Sequence, residues 1–103
     1  MYENLFSLEG RVALITGASR GIGQGVARGL AEAGADVVMT ARSEKDLKLA
    51  ANEIRGAVTG RVEYYPVDMF NRADVDELAE TVLRDFGAVD ILINNAGANR
   101  PQT

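Results

Sequence analysis

The sequence of 103 residues contains no cysteine and no histidine. The first absence removes disulfides, thiolate metal sites and thiol nucleophiles; the second removes the commonest metal ligand and the usual general base at neutral pH. Basic residues are also scarce. Eleven lysines and arginines stand against 15 acidic residues, for a net charge of -4, and they are scattered rather than blocked, so there is no electrostatic footprint for nucleic acid. No stretch approaches the ~18 apolar residues of a membrane span, and the first ten residues lack the basic-then-apolar order of a secretory leader. These absences predict a cytoplasmic protein with no metal, no nucleic-acid partner and no membrane partner. What is present is a 47% hydrophobic composition, enough to supply the core of one domain or of part of one.

That apolar content is organised in segments. Val12 to Ile15 is a continuous apolar run, which suits a parallel strand covered on both faces. Ile22, Val26, Ala27, Leu30 and Ala31 then form a helical stripe, and Gly34 fits the left-handed position that closes a helix. Leu5, Phe6 and Leu8 are expected to pack the entering segment against the sheet. Asp36 to Thr40 reads as a second strand, and Ser43 with Asp46 has capping-box spacing ahead of a helix carrying Leu47, Ala51 and Ile54. Arg61 to Val67 reads as a third strand with Pro66 at its end. Asn71, with Asp74 three residues on, caps a third helix bearing Val75, Leu78, Val82 and Phe86, which Gly87 ends. Asp90 to Ile93 is a fourth short strand. Such alternation predicts an α/β architecture with a parallel sheet, right-handed crossovers and helices on both faces.

Between the first strand and the first helix lies Thr16-Gly17-Ala18-Ser19-Arg20-Gly21-Ile22-Gly23. Its glycines follow G-x-x-x-G-x-G rather than the strict G-x-G-x-x-G spacing. They still place one glycine at the strand end, one where a backbone is closely approached and one where helix meets sheet. A helix starting there offers unpaired N–H groups and the positive end of its dipole to a phosphate. Ser19 and Arg20 add a hydroxyl and a cation for that phosphate, or stand as exposed loop residues. About twenty residues beyond the glycines, a site for NAD carries an acid that binds the ribose 2′-hydroxyl. Here the second strand runs out through Met39-Thr40-Ala41-Arg42, with no acid. Arg42 and Arg20 together suit a 2′-phosphate, which favours NADP over NAD; the alternative is that Arg42 is a solvated loop residue. Methyltransferases hold a nucleoside cofactor at a similar glycine turn, but they too usually require an acid where Ala41-Arg42 stands.

The glycine turn and the later Asn94-Asn95-Ala96-Gly97, at this separation, resemble the short-chain dehydrogenase/reductases, and most closely the 3-oxoacyl-carrier-protein reductase and gluconate dehydrogenase type. The resemblance covers essentially the whole chain, including Asp68 after the third strand. It implies a Rossmann-type doubly wound parallel sheet, represented by a four-strand portion in the order 3-2-1-4. It also implies residue roles: Gly17, Ser19, Gly21, Ile22 and Gly23 under the pyrophosphate, with Arg20 and Arg42 near the 2′-phosphate. Asp68 and Met69 would run along the adenine edge, and Asn95, Ala96 and Gly97 past the cofactor ribose while stabilising the central sheet. Asp68 also reads as a turn or cap residue, and Asn94 as a backbone-bonding one. The implied activity is hydride transfer between NADP(H) and a carbonyl or secondary alcohol, in a homo-oligomer when complete.

The sequence departs from the family in one respect that decides activity. The family's reaction relies on a serine and a Tyr-x-x-x-Lys pair downstream of the Asn-Asn-Ala-Gly turn. Tyr2, Tyr64 and Tyr65 are followed four residues later by Phe6, Asp68 and Met69, so no catalytic residue is assigned. Residues 1–103 are therefore expected to be the N-terminal, cofactor-binding portion of a single domain, lacking its catalytic part. The alternatives are a nucleotide-binding module without chemistry and an inactive fragment. An apolar last strand left at a sheet edge fits the same expectation.

Overall fold

A computed structural model describes residues 7–95. The chain alternates strictly: β1 (Val12–Ile15), α1 (Gly21–Glu32), β2 (Asp36–Ala41), α2 (Glu44–Arg55), β3 (Val62–Pro66), α3 (Arg72–Phe86) and β4 (Ile91–Ile93). The four strands form one parallel sheet in the order β3-β2-β1-β4. After β3 the chain crosses back over β2 and β1 to lay β4 on the far side of β1. This is the doubly wound arrangement that the sequence leads one to expect.

Both faces of the sheet are covered, which explains the unbroken apolar runs. Ala13, Ile15, Val37, Met39 and Ala41 face α1 and α2, where they meet Ala27, Ala31, Leu47, Ala51 and Ile54. Val12, Val38 and Val67 face α3 and meet Leu78 and Val82. Successive residues of β1 and β2 thus enter opposite cores, so neither strand has a solvent face on which polar residues would alternate. Burying a Leu47 or an Ile54 side chain contributes roughly 1.5–3 kcal/mol, while most of the other buried residues of the larger core are alanines, which let the helices approach the sheet closely.

The helix boundaries follow from local chemistry. Ser43 Oγ accepts the Asp46 N–H (3.2 Å) at the start of α2, and Asn71 Oδ1 accepts the Asp74 N–H (3.0 Å) at the start of α3. Both caps are those read from the sequence. At the end of α1, Gly34 has φ +106°; its N–H donates to the Ala31 carbonyl, and the Ala35 N–H reaches back to that of Leu30. That pair of bonds is the Schellman closure, which needs a residue without a β-carbon at the left-handed position. The entering segment is tied down where Leu8, half-buried against the larger core, donates its N–H to the Ala33 carbonyl (2.7 Å). Leu5 and Phe6 lie outside the described residues.

Some details differ from the sequence reading. The second strand runs one residue further, to Ala41, and the third is shorter, spanning Val62–Pro66. The stripe on α1 is displaced: Gly23, Ala27 and Ala31 are buried, whereas Ile22 is 75% exposed. The helix therefore approaches the sheet through its small residues. On α3 only Leu78 and Val82 are fully buried, with Val75 and Phe86 half-buried at the margins. Among the described residues β4 pairs on one side only, with β1, and Leu92 is 62% exposed, as expected for an apolar edge strand. No helix among the described residues is long and apolar enough to cross a membrane.

Candidate functional site

Because all four strands are parallel, their C-terminal ends open on one edge of the sheet. Gly17 follows β1, Arg42 follows β2, Asp68 follows β3, and Asn94 and Asn95 follow β4. The sheet reverses its order at β1, between β2 and β4, and a crevice at such a switch point is where open α/β sheets bind ligands.

The glycine turn is stitched to both neighbours. The Thr16 N–H donates to the Ile93 carbonyl and the Ala18 N–H to the Thr40 carbonyl, each at 3.0 Å. Gly17 and Gly21 adopt φ +61° and +63°, backbone that side-chain-bearing residues rarely take. At Gly23 the constraint is contact rather than dihedral: a β-carbon there would overlap the Gly17 carbonyl and come within 2.7 Å of Asn95 Nδ2. Two causes thus account for the three glycines: left-handed backbone at Gly17 and Gly21, and close contact at Gly23.

The Asn-Asn pair closes the other side. Thr16, 1% exposed, donates its hydroxyl to Asn94 Oδ1 (3.0 Å) and accepts the Asn95 N–H (2.8 Å). Asn95 Nδ2 in turn donates to the Gly17 carbonyl (3.2 Å). Asn94 is thus engaged by a side chain, where the sequence suggests a backbone partner, and Asn95 is a buried tie between β4 and the turn. Thr16→Val keeps the shape but leaves the buried Asn95 N–H without its acceptor, an expected loss of about 1–3 kcal/mol. Chemical denaturation measures it, and Thr16→Ser, which keeps both bonds, is the control. Ala96 and Gly97 lie outside the described residues.

The start of α1 differs from the other two helix starts. Glu44 and Asp46 lie in the first turn of the self-capped α2, and Asp74 in that of α3. At α1, Arg20 takes the N-cap position in extended conformation without a side-chain capping bond, and the first turn holds no acid. The positive end of this helix is thus left open to an outside anion.

Beside it is a cavity of about 230 Å³. Of the residues nominated from sequence, Gly17, Ser19, Arg20, Arg42 and Met69 line it. Gly21, Ile22, Gly23, Asp68 and Asn95 do not. Ala41, Ser43, Asp46, Val67 and Phe70 complete the wall and were not singled out as site residues. For Ser43 and Asp46 a signal was available, since a cap directly after the strand must stand at the same sheet edge. For Val67 and Phe70 no periodicity pointed there.

The two arginines of this wall stand apart electrostatically. Arg11, Arg28, Arg55, Arg61, Arg72 and Arg84 each have a carboxylate oxygen within 3.9 Å. Among the described residues, Arg20 and Arg42 are the arginines without such a partner. Asp68, by contrast, is occupied locally: its Oδ1 accepts the Phe70 N–H (3.0 Å) and its carbonyl accepts that of Asn71 (2.9 Å), which is the turn role open to it from sequence. Tyr65 does not join the site. Its hydroxyl donates to Asp85 Oδ2 (3.3 Å), and partial burial together with the Asp85 charge raises its pKa above 10.0, so it stays protonated at neutral pH.

A parallel sheet wound on both faces, with a glycine turn at its switch point, defines a Rossmann-type domain. Residues 11–103 match the family model for short chain dehydrogenase, and the chain belongs to that family of oxidoreductases. It is 45% identical over 95 residues to 2-dehydro-3-deoxy-D-gluconate 5-dehydrogenase of Pseudoalteromonas atlantica, covering 89% of this chain and 36% of that protein. It is also 45% identical over 93 residues to an uncharacterised oxidoreductase of Mycobacterium bovis, with 88% of this chain and 27% of the relative covered. Among solved structures, L-sorbose reductase of Gluconobacter frateurii complexed with NADPH and L-sorbose superposes with a TM-score of 0.87 at 40% identity, over 95% of this chain and 37% of that one. A metagenomic short-chain oxidoreductase in complex with NADP gives 0.78 at 41% identity, over 82% and 38%. The chain spans between about a quarter and two fifths of the length of these proteins.

Proposed function

We propose that this chain is the cofactor-binding portion of an NADP-dependent short-chain oxidoreductase that transfers hydride between NADP(H) and a carbonyl or secondary alcohol. The observation that carries the reading is the pair Arg20 and Arg42. They line one cavity with the glycine turn, lack carboxylate partners among the described residues, and stand where β2 ends without an acid. An NAD site needs an acceptor for the 2′-hydroxyl at that point; two cations with no carboxylate partner suit a 2′-phosphate instead. The residues present fit the group in two further ways. The closely packed glycines leave the turn's backbone bare for a pyrophosphate, and the uncapped start of α1 supplies N–H donors to it.

In this reading Gly17, Ser19, Gly21, Ile22 and Gly23 lie along the pyrophosphate, Arg20 and Arg42 hold the 2′-phosphate, and Met69 covers the base with Asp68 shaping the turn beneath it. Asn95 fixes β4 against the turn, with Ala96 and Gly97 continuing past the ribose. The nicotinamide, when bound, supplies the hydride. The chain's own residues bind and orient it; the acid–base groups that complete the reaction lie outside these 103 residues. NADP-bound neighbours and the greater length of the relatives support this division.

A second reading is a nucleotide-binding module without chemistry, favoured by the absence of a Tyr-x-x-x-Lys pair from the sequence. Calorimetry with NADPH and NADH, followed by a carbonyl panel, separates the readings. The proposed function expects NADPH to bind at least about tenfold more tightly than NADH, as for a charge-assisted contact. Binding with no turnover in the longest natural polypeptide carrying this sequence favours the module, and no affinity for either nucleotide at millimolar concentration removes both.

A further inference from the structure

Among the described residues β3 pairs with β2 alone, so its outer margin is an edge of the sheet. The ladder fixes which of its groups point outward. The Val37 N–H donates to the Arg61 carbonyl and the Val67 N–H to the Ala41 carbonyl, so the odd-numbered residues along β3 bond inward to β2. Val62, Tyr64 and Pro66 therefore turn their backbone groups to the edge, where a further strand would pair with them. At two of these three positions a group is already closed to such a partner. Pro66 has no N–H to offer, and the Val62 carbonyl accepts the Arg55 Nε–H (2.7 Å).

Arg55 makes that closure by reaching around the sheet. It ends α2, which packs on one face, whereas Glu63 is in register with Val38, which faces α3 on the other. The guanidinium spans the two, donating to Asn52 Oδ1 (3.1 Å), to the Val62 carbonyl and to Glu63 Oε1 (3.1 Å). The other oxygen of Glu63 accepts from Arg61 Nε (3.3 Å), and the Arg61 guanidinium lies 4.0 Å from the Phe86 ring at the end of α3. One run of contacts thus joins α2 to α3 across the edge. The Arg55 and Glu63 side chains are 38% and 36% exposed, and ion pairs so exposed add little to folding free energy. What the arrangement supplies is a fixed charge lying over an open row of backbone groups.

We propose that Arg55 is a strap that closes the β3 edge against a second copy of this chain. The strand it guards, Val62-Glu-Tyr-Tyr-Pro66, is rich in β-branched and aromatic residues, the composition that favours strand addition. Two such edges related by a twofold axis would pair with each other, joining two four-stranded sheets into one. With Arg55 in place, Tyr64 is the only position between Val62 and Pro66 that offers both its N–H and its carbonyl outward, which is too little to seat a strand. The strap lies at the end of β3 remote from the cofactor cleft, so the inference stands independently of the NADP reading.

Arg55→Ala and Arg55→Gln, made in the longest natural polypeptide carrying this sequence, test the strap. Glutamine keeps a long side chain on the helix but loses the charge and the three-way reach. Both variants are expected to melt within about 5 °C of the wild type, because only exposed contacts are lost. Sedimentation over a range of concentrations is expected to show self-association at least about tenfold tighter than that of the wild type, the worth of one or two backbone hydrogen bonds gained at the opened edge. Hydrogen exchange then locates the contact: the outward amides of Val62 and Tyr64 exchange fast in dilute solution and become protected as the variant associates. Variants that keep the wild-type mass at every concentration overturn the proposal. So does association that leaves the Val62 and Tyr64 amides unprotected, which places the contact on another surface. Loss of the fold in both variants overturns it as well, since Arg55 would then be a stabilising residue and not a guard.

Discussion

Arg42→Ala is expected to weaken NADPH binding about tenfold, and Arg20→Ala with Arg42→Ala about a hundredfold, while NADH binding changes by less than about threefold. The asymmetry is the point. The two nucleotides differ only in the 2′-phosphate, so a cation that contacts it acts on one ligand alone. Both guanidiniums are solvent-exposed, which holds each contribution to the lower end of the range for charged hydrogen bonds. The same exposure predicts a salt dependence, with the NADPH preference shrinking between low and physiological ionic strength as the Debye length falls toward about 8 Å. Calorimetry of the wild type and both variants at two salt concentrations measures all of this. Equal losses for NADPH and NADH would assign the arginines to the shared pyrophosphate instead.

Gly23→Ala and Gly21→Ala are expected to fail in opposite ways. At Gly23 the added methyl overlaps the Gly17 carbonyl and crowds Asn95 Nδ2, so α1 must move off the sheet or the turn must open. Overpacking of this kind costs about 2–3 kcal/mol, which in a domain of this size lowers Tm by about 10–20 °C. At Gly21 the added methyl meets nothing within 4 Å, and the cost is the left-handed backbone, about 1–2 kcal/mol. That methyl does, however, project from the bare start of α1, where the pyrophosphate is proposed to lie. Gly21→Ala should therefore lose nucleotide affinity out of proportion to its stability, and Gly23→Ala stability first. Thermal melts with and without NADPH compare the two. The same ordering for both quantities would mean that the turn acts only as a structural hinge.

The contrast between these glycines shows which parts of the molecule were legible in its sequence. Strand–helix alternation was plain, because β1 and β2 are buried on both faces and leave no polar interruption. The caps at Ser43 and Asn71 were plain for the same local reason, since each acts within three residues of itself. Ile22 misled the reading of the first stripe. It satisfies helical spacing, but α1 approaches the sheet along Gly23, Ala27 and Ala31, and a close approach through small residues looks weak on a hydrophobicity pattern. The site divided along the same line. Gly17, Ser19, Arg20 and Arg42 were found because strand–turn–helix geometry fixes them locally, and Met69 through the family resemblance. Val67 and Phe70 reach the cavity through the parallel register of β2 with β3, which pairs Ala41 with Pro66 and so brings two distant turns side by side. No local pattern encodes that. That Arg20 and Arg42 form no ion pair among the described residues was equally invisible, because it depends on where the acids lie in space.

The central claim is that the cleft between the glycine turn and the end of β2 holds NADP. A titration of the isotopically labelled chain with NADP, followed by amide chemical shifts, tests it most directly. The expected result is saturable shifts at Gly17, Ser19, Arg20, Gly21 and Gly23, together with Arg42, Met69 and Phe70, and none of comparable size on the outer face of α3. Saturable shifts centred elsewhere, or none at millimolar NADP in a chain shown to be folded, would contradict it.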